Sequence, residues 1–301
     1  MPLHIADNSR PRLAQELLDA TLDHLHHDSA TLKRCALVSK SFLPTSQRHL
    51  FSTFKISDSN ADKVEGFFDP TGSDVEDDAL RAAVADLLNT YTTDLTVAIV
   101  ADSEVMESPH IPEFKNVQKI VFECDQMNAA FAEVPRFLPQ FLLGTWLSPT
   151  SKITSVGFNY HSLSGVEILK SLYVLPPTVE NISFAISRHC RNSHATAASF
   201  RDAVRRLPPT FSDRGVHHFN GVMKLHLPAN QSHEAPLSLM VELKDCFKFN
   251  LTRINYRLTS RSDVPHIASL VYECKATLQF LNIAYSTLGA LPSRRNFCIW
   301  I

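Results

Sequence analysis

Apolar residues recur at two different periods along this chain, and the change comes near residue 56. Upstream of it the spacing is helical. Leu18, Leu22 and Leu25 stand at i, i+4 and i+7 with Leu17 beside them, which predicts a short amphipathic helix. Asp28 is placed to N-cap a second helix, on which Leu32, Cys35 and Ala36 form one stripe and Leu37 and Val38 widen it. Pro44 forces a break, and Leu50 with Phe51 continues a third short helix. Three helices over about forty residues lie at the lower limit of independent folding, so their apolar face calls for a partner.

Downstream, a stretch rich in Ser, Asp and Gly over 56–73 reads as a linker. Ser73-Asp74-Val75-Glu76 is a capping box for a helix that carries Leu80, Val84, Leu87 and Tyr91 on one face. Beyond it a strand-like six-residue pattern recurs, apolar at its first, fourth and sixth positions. It occurs as Val117-Ile120-Phe122, Ile153-Val156-Phe158, Val179-Ile182-Phe184, Val222-Leu225-Leu227, Leu251-Ile254-Tyr256 and Leu278-Leu281-Ile283. Central positions 156 and 182 are 26 apart, 225 and 254 are 29 apart, and 254 and 281 are 27 apart. The intervals from 120 to 156 and from 182 to 225 are longer and would carry inserted loops. Helical patterns lie between: a capping box at Ser164 with Glu167, then Phe200, Val204 and Leu207, then Ile267, Val271, Cys274 and Leu278.

The body from about 92 to 286 thus resembles a degenerate leucine-rich-repeat array. The repeat's asparagine, three residues after the last apolar position, is kept only as Asn230, while Asp125, His161, Ser187, Thr259 and Ser286 hold the equivalent places. A doubly wound α/β domain is the competing architecture, because it also alternates strands with helices.

The first helices resemble an F-box of the fungal F-box-like type. Its usual opening appears as Leu13-Ala14-Gln15-Glu16-Leu17-Leu18, and its valine-x-basic-x-tryptophan motif as Val38-Ser39-Lys40-Ser41-Phe42. Ala14 replaces the usual proline. Phe42 replaces tryptophan, keeping most of the apolar area but losing the indole N–H. The resemblance implies that Leu13, Leu17, Leu18, Leu37, Val38 and Phe42 meet a Skp-type adaptor, and through it a cullin scaffold of a ubiquitin ligase. The alternative is that the three helices merely cap the rest of the protein.

Composition narrows the remaining classes. With 301 residues and 44% hydrophobic content, the chain can bury a full core. A net charge of -2 from interspersed acids and bases leaves no field for a nucleic-acid backbone. MPLHIADNSR lacks a secretory pattern, so the chain is expected to start there, and FLPQFLLGTWL is too short to span a bilayer. Six scattered cysteines (Cys35, Cys124, Cys190, Cys246, Cys274, Cys298) without a C-x-x-C pair are expected to be reduced and mostly buried. That places the protein in the cytosol or nucleus, where the sequons at Asn181, Asn230 and Asn250 mean little. Cys298-Ile299-Trp300-Ile301 is a loose prenylation box; the competing reading is an apolar end tucked against the last repeat.

Catalytic chemistry finds no seat. Glycine is scarce, with no dinucleotide fingerprint, phosphate loop or nucleophile elbow. His24, His26, His27 and Asp28 read as a solvated helix end, and Asp74, Glu76, Asp77 and Asp78 as a first helical turn stabilised by the helix dipole. Cys190, near His189 and His194, could act as a nucleophile only beside a positioned base, and His217 with His218 forms another loose group.

The expected molecule is an α/β chain: a small N-terminal three-helix F-box-like bundle (11–55), a linker (56–73) and an irregular leucine-rich-repeat-like solenoid of alternating strands and helices (74–291). It would be a non-catalytic substrate receptor without cofactor or metal. Residues flanking the inner apolar positions would hold the unknown protein substrate: Lys119, Glu123, Ser155, Asn159, Asn181, Lys224, His226, Arg253, Asn255, Arg257 and Asn282. A repeat scaffold without a ligase and an unrecognised hydrolase are the other readings.

Overall fold

A computed structural model describes residues 14–57, 75–98, 114–124, 151–163, 169, 172–189, 196–206, 216–226, 240, 242–258, 263–285 and 295–300. The N-terminal helices are α1 (Gln15–Asp23), α2 (Ser29–Val38) and α3 (Leu43–Phe51). Asp28 caps α2 as expected, its carboxylate accepting from the Thr31 N–H at 3.0 Å and from the Thr31 hydroxyl at 2.6 Å. Pro44 lies in the first turn of α3, where its missing N–H costs nothing, so it opens that helix as well as separating it from α2. Leu22 and Leu32 are the buried centre of the bundle.

Strand β1 (Thr53–Ile56) follows α3 directly. Then come α4 (Val75–Tyr91), β2 (Asp94–Ala98), β3 (Lys119–Cys124), β4 (Ser155–Leu163) and β5 (Asn181–His189). They are followed by α5 (Ala197–Arg205), β6 (His217–His226), β7 (Phe247–Leu258), α6 (Asp263–Glu273), β8 (Phe280–Tyr285) and β9 (Arg295–Trp300). All nine strands form one sheet in the order of the sequence. Strands β1 to β8 run parallel, and β9 closes the edge antiparallel to β8. A doubly wound sheet needs its strand order to reverse at a switch point, and this order never reverses.

The fold is therefore mixed α/β, with a parallel sheet wound in one direction. Its inner face carries two apolar rows in register. One passes through Leu95, Ile120, Val156, Ile182, Met223, Ile254 and Leu281, and its neighbour through Val97, Phe122, Phe158 and Phe184. The rings of Phe122, Phe158 and Phe184 stack along the second row at 5.5 and 4.9 Å. Leu88, Leu172, Phe200, Leu243, Ile267 and Leu270 belong to the same buried core. A backbone ladder marks the start of each turn. The carbonyls of Ser52, Thr93, Gln118 and Thr154 each accept from two N–H groups of the next turn.

Several expectations shift by a residue or two. Among the described side chains of α4, Leu88 is the buried one, with Val84, Leu87 and Tyr91 half-buried. Residues 53–56 are strand, so Ile56 is a buried rung paired with Val97 and the sheet begins at the end of the bundle. The fourth repeat is misframed in the sequence reading. Register places Met223 opposite Ile182 and Ile254, and Leu225 opposite Phe184 and Tyr256, so Val222 faces outward. Asn230 accordingly loses its equivalence to the repeat asparagine, since the position three after Leu225 is Pro228.

Gly221 explains why that strand departs from the pattern. Its φ is 109°, and a Cβ there would lie 2.3 Å from the Glu180 carbonyl oxygen. Only glycine permits this approach, and Val222 N–H donates to the same oxygen at 2.7 Å. The capping box at Ser164 with Glu167, and Leu207, lie outside the described residues. Helix α5 is capped by Thr196, which exchanges hydrogen bonds with Ser199.

Candidate functional site

Two surfaces carry the residues singled out above. The first is at one end of the helical bundle. Gln15 donates to the Ser41 carbonyl at 2.9 Å and Thr45 to the Asp19 carboxylate at 2.5 Å, which sets the first turns of α1 against the turn between α2 and α3. At the other end of α1, Asp23 accepts from Arg48 at 2.8 Å and from His49 at 2.7 Å. The His49 hydrogen bond, followed by Arg48, holds the Asp23 carboxyl below its ordinary range. Thr45 and Gln15 lower Asp19, and Thr31 lowers Asp28.

With the helices pinned in this way, Leu37 and Val38 remain 88% and 75% exposed at the end of α2. Leu17 is exposed on α1, while Leu18 and Phe42 are half-buried. Leu43, which the sequence reading did not single out, extends the exposed apolar set into α3. Its only signal was its place beside Phe42. Leu13 lies outside the described residues.

The second surface is the outward face of the sheet. Register brings the predicted residues onto neighbouring strands: Lys119, Ser155 and Asn181 stand in one row that continues through Val222 to Arg253. Lys224, Asn255 and Asn282 form a second. Glu123 and Asn159 begin a third that reaches His226. Arg257 pairs with Ala284 in the register. Lys119, Asn159, Asn181, Lys224 and Arg253 are exposed, whereas Glu123, Ser155, Asn255 and Asn282 are half-buried.

Charge is divided unevenly across this face. At the β1–β3 end, Lys55 pairs with Glu123 at 2.7 Å, and Asp94 stands in the same row as Lys119. Across β6–β8 the outward positions carry Lys224, Lys248 and Arg253, and no carboxylate occupies one. Arg253 lies over the Phe280 ring, 4.8 Å from its centroid. Sequence reasoning missed Lys55, because β1 was not read as a strand, and missed Lys248, because β6 and β7 extend below the repeat pattern.

Nothing described assembles a reaction centre. Cys274 is buried and Cys246 half-buried, and burial pushes both thiols up, away from a nucleophilic thiolate. Cys35 is half-buried, so of these three cysteines only Cys274 is fully buried. Cys190 and His194 lie outside the described residues, and His218 is exposed. His26 and His27 lie exposed beyond the end of α1, their rings tilted by 47° with centroids 3.7 Å apart.

Among the described residues no three His, Cys, Asp or Glu side chains gather as a metal site, and no helix is long and apolar enough to cross a membrane. A cavity of about 470 Å³ opens beside the start of β7, lined by Val216, Met240, Phe247 and Leu270 among others, with Lys244 and Glu273 ion-paired at its wall. Cys298 lies within β9, in register with Asn282. No family model, no curated protein and no solved structure matches this chain.

Proposed function

We propose that this protein is a non-catalytic substrate receptor of a Skp/cullin/F-box-type ubiquitin ligase. Residues 11–55 act as an F-box-like module, and the sheet-bearing body acts as a leucine-rich-repeat-like solenoid that holds a protein substrate. One observation carries the reading: Leu37 and Val38 end a helix in water, although each would gain by burial. Full burial of such a side chain is worth about 1.5–3 kcal/mol, so an adaptor groove covering both gains several kcal/mol before the costs of association. The division of labour is physical. The bundle offers apolar area, while the sheet face offers polar side chains at fixed spacing, suited to selecting a partner by its charge and hydrogen bonds.

The test is co-purification of the full chain with a Skp-type adaptor, alone and as the double variant Leu37→Asp, Val38→Asp. The wild-type chain should retain the adaptor. The variant should lose it, because two carboxylates would be buried unpaired, while its melting temperature stays unchanged, since both side chains are already in water. Adaptor binding that survives both substitutions would overturn the assignment. A chain that holds a substrate but never an adaptor would be a repeat scaffold without a ligase.

A further inference from the structure

We propose that the outward strip over β6, β7 and β8 binds an extended acidic peptide segment, a deeper reading that rests on the sheet face being the substrate surface. The chain as a whole is slightly acidic, yet this strip holds Lys224, Lys248 and Arg253 without a carboxylate in any outward position. None of the three cations forms an ion pair among the described residues. Among the described residues their charges thus have no carboxylate partner, unlike that of Lys55 at the other end of the sheet, which Glu123 neutralises. A strip of this kind attracts an anion.

The side chains are also arranged for a peptide. Arg253 rests on the Phe280 ring, which fixes the guanidinium plane in advance and lowers the ordering cost of a forked hydrogen bond to an oxyanion. Two amide pairs run beside the cations: Asn250 donates to Asn220 at 3.1 Å and Asn282 to Asn255 at 3.4 Å. The first of these bonds leaves further donor and acceptor groups on Asn220 and Asn250, which suit an extended main chain. From His218 to Lys224 the strand runs about 20 Å at roughly 3.3 Å per residue, the length of about six peptide residues. Single-stranded nucleic acid would need a series of aromatic platforms for its bases, and the strip offers Phe280, which already carries Arg253, and the small imidazole of His218.

The experiment uses the purified full chain on an array of degenerate hexapeptides, each with one position fixed in turn as every amino acid and as phosphoserine. Acidic or phosphoserine positions should be retained about tenfold or more over neutral ones, with retention falling as salt rises. Preference for phosphoserine over Asp and Glu identifies a phosphorylated segment; equal retention identifies a carboxylate-rich one. Lys224→Glu with Arg253→Glu should invert the profile towards Lys and Arg while the circular dichroism spectrum stays that of the wild-type fold, since both side chains are exposed. Loss of all acidic preference in the wild-type chain, the same profile in the variant, or better competition by a single-stranded RNA than by the acidic peptide would overturn the proposal. Adaptor co-purification run on the same samples separates the two ideas: acidic preference without adaptor removes the ligase and leaves the strip, and adaptor without acidic preference does the reverse.

Discussion

Asp19, Asp23 and Asp28 each join parts of the N-terminal helices that water would otherwise separate. Asp28 acts three residues along the chain, so its capping role is legible from local sequence. Asp23 acts across 26 residues on His49 and across 25 on Arg48, and no pattern in the sequence announces that. All three carboxyls are held below the ordinary value of 3.8. A depressed carboxyl contributes stability that is fully present above its unfolded value and lost as pH falls through its folded value. The bundle should therefore keep its helicity down to about pH 4 and lose stability in the range below it. Asp23→Asn should remove part of that acid-range loss and lower the melting temperature at neutral pH, read by circular dichroism melts between pH 2 and 7. An acid limb of unchanged steepness would show that the His49 and Arg48 contacts contribute nothing.

At the scale of elements, period and frame have different visibility. The six-position pattern located β3, β4, β5, β7 and β8 because each turns its first, fourth and sixth positions to the same layer, all of them buried except the half-buried Ile283. It misframed β6, where Val222 and Met223 are adjacent and both apolar, and only pairing with Ile182 and Ile254 decides which turns inward. It also missed β1, which is short and has one fully buried residue, Ile56. Two substitutions probe the turns as built. Phe158→Ala opens a cavity between the rings of Phe122 and Phe184 and should cost about 3–5 kcal/mol, seen as a lower urea midpoint. Gly221→Ala should cost about 1–3 kcal/mol or more, since its Cβ would meet the Glu180 backbone at a φ that alanine avoids. A neutral Gly221→Ala would mean that β5 and β6 can separate there freely.

The whole molecule joins its two parts more firmly than an alternation of patterns implies. Thr92 hydroxyl donates to the Phe51 carbonyl, the N–H groups of Thr93 and Asp94 both donate to Ser52, and Phe51 and Phe54 pack on the central core. The last turn of the bundle is thus the first rung of the sheet. Deleting residues 1–52 should lower the melting temperature of the remainder by on the order of 5–10 °C, taking about 1 kcal/mol for each lost hydrogen bond plus uncovered apolar surface. A remainder that melts unchanged would show the bundle to be an appendage.

What the amino-acid order determined alone depends on neighbours within a few residues: the three N-terminal helices, the Asp28 cap, five of the six strand-like hexads and their alternation with helices. Tertiary structure alone decided the frame of β6, the place of β1 in the sheet, the closing strand β9, and the gathering of cations over β6–β8. The physical reason is range. Helical and strand periodicity follow from backbone geometry over one or two turns, whereas strand register and the pairing or isolation of a charge follow from chain segments that meet only after the sheet has wound.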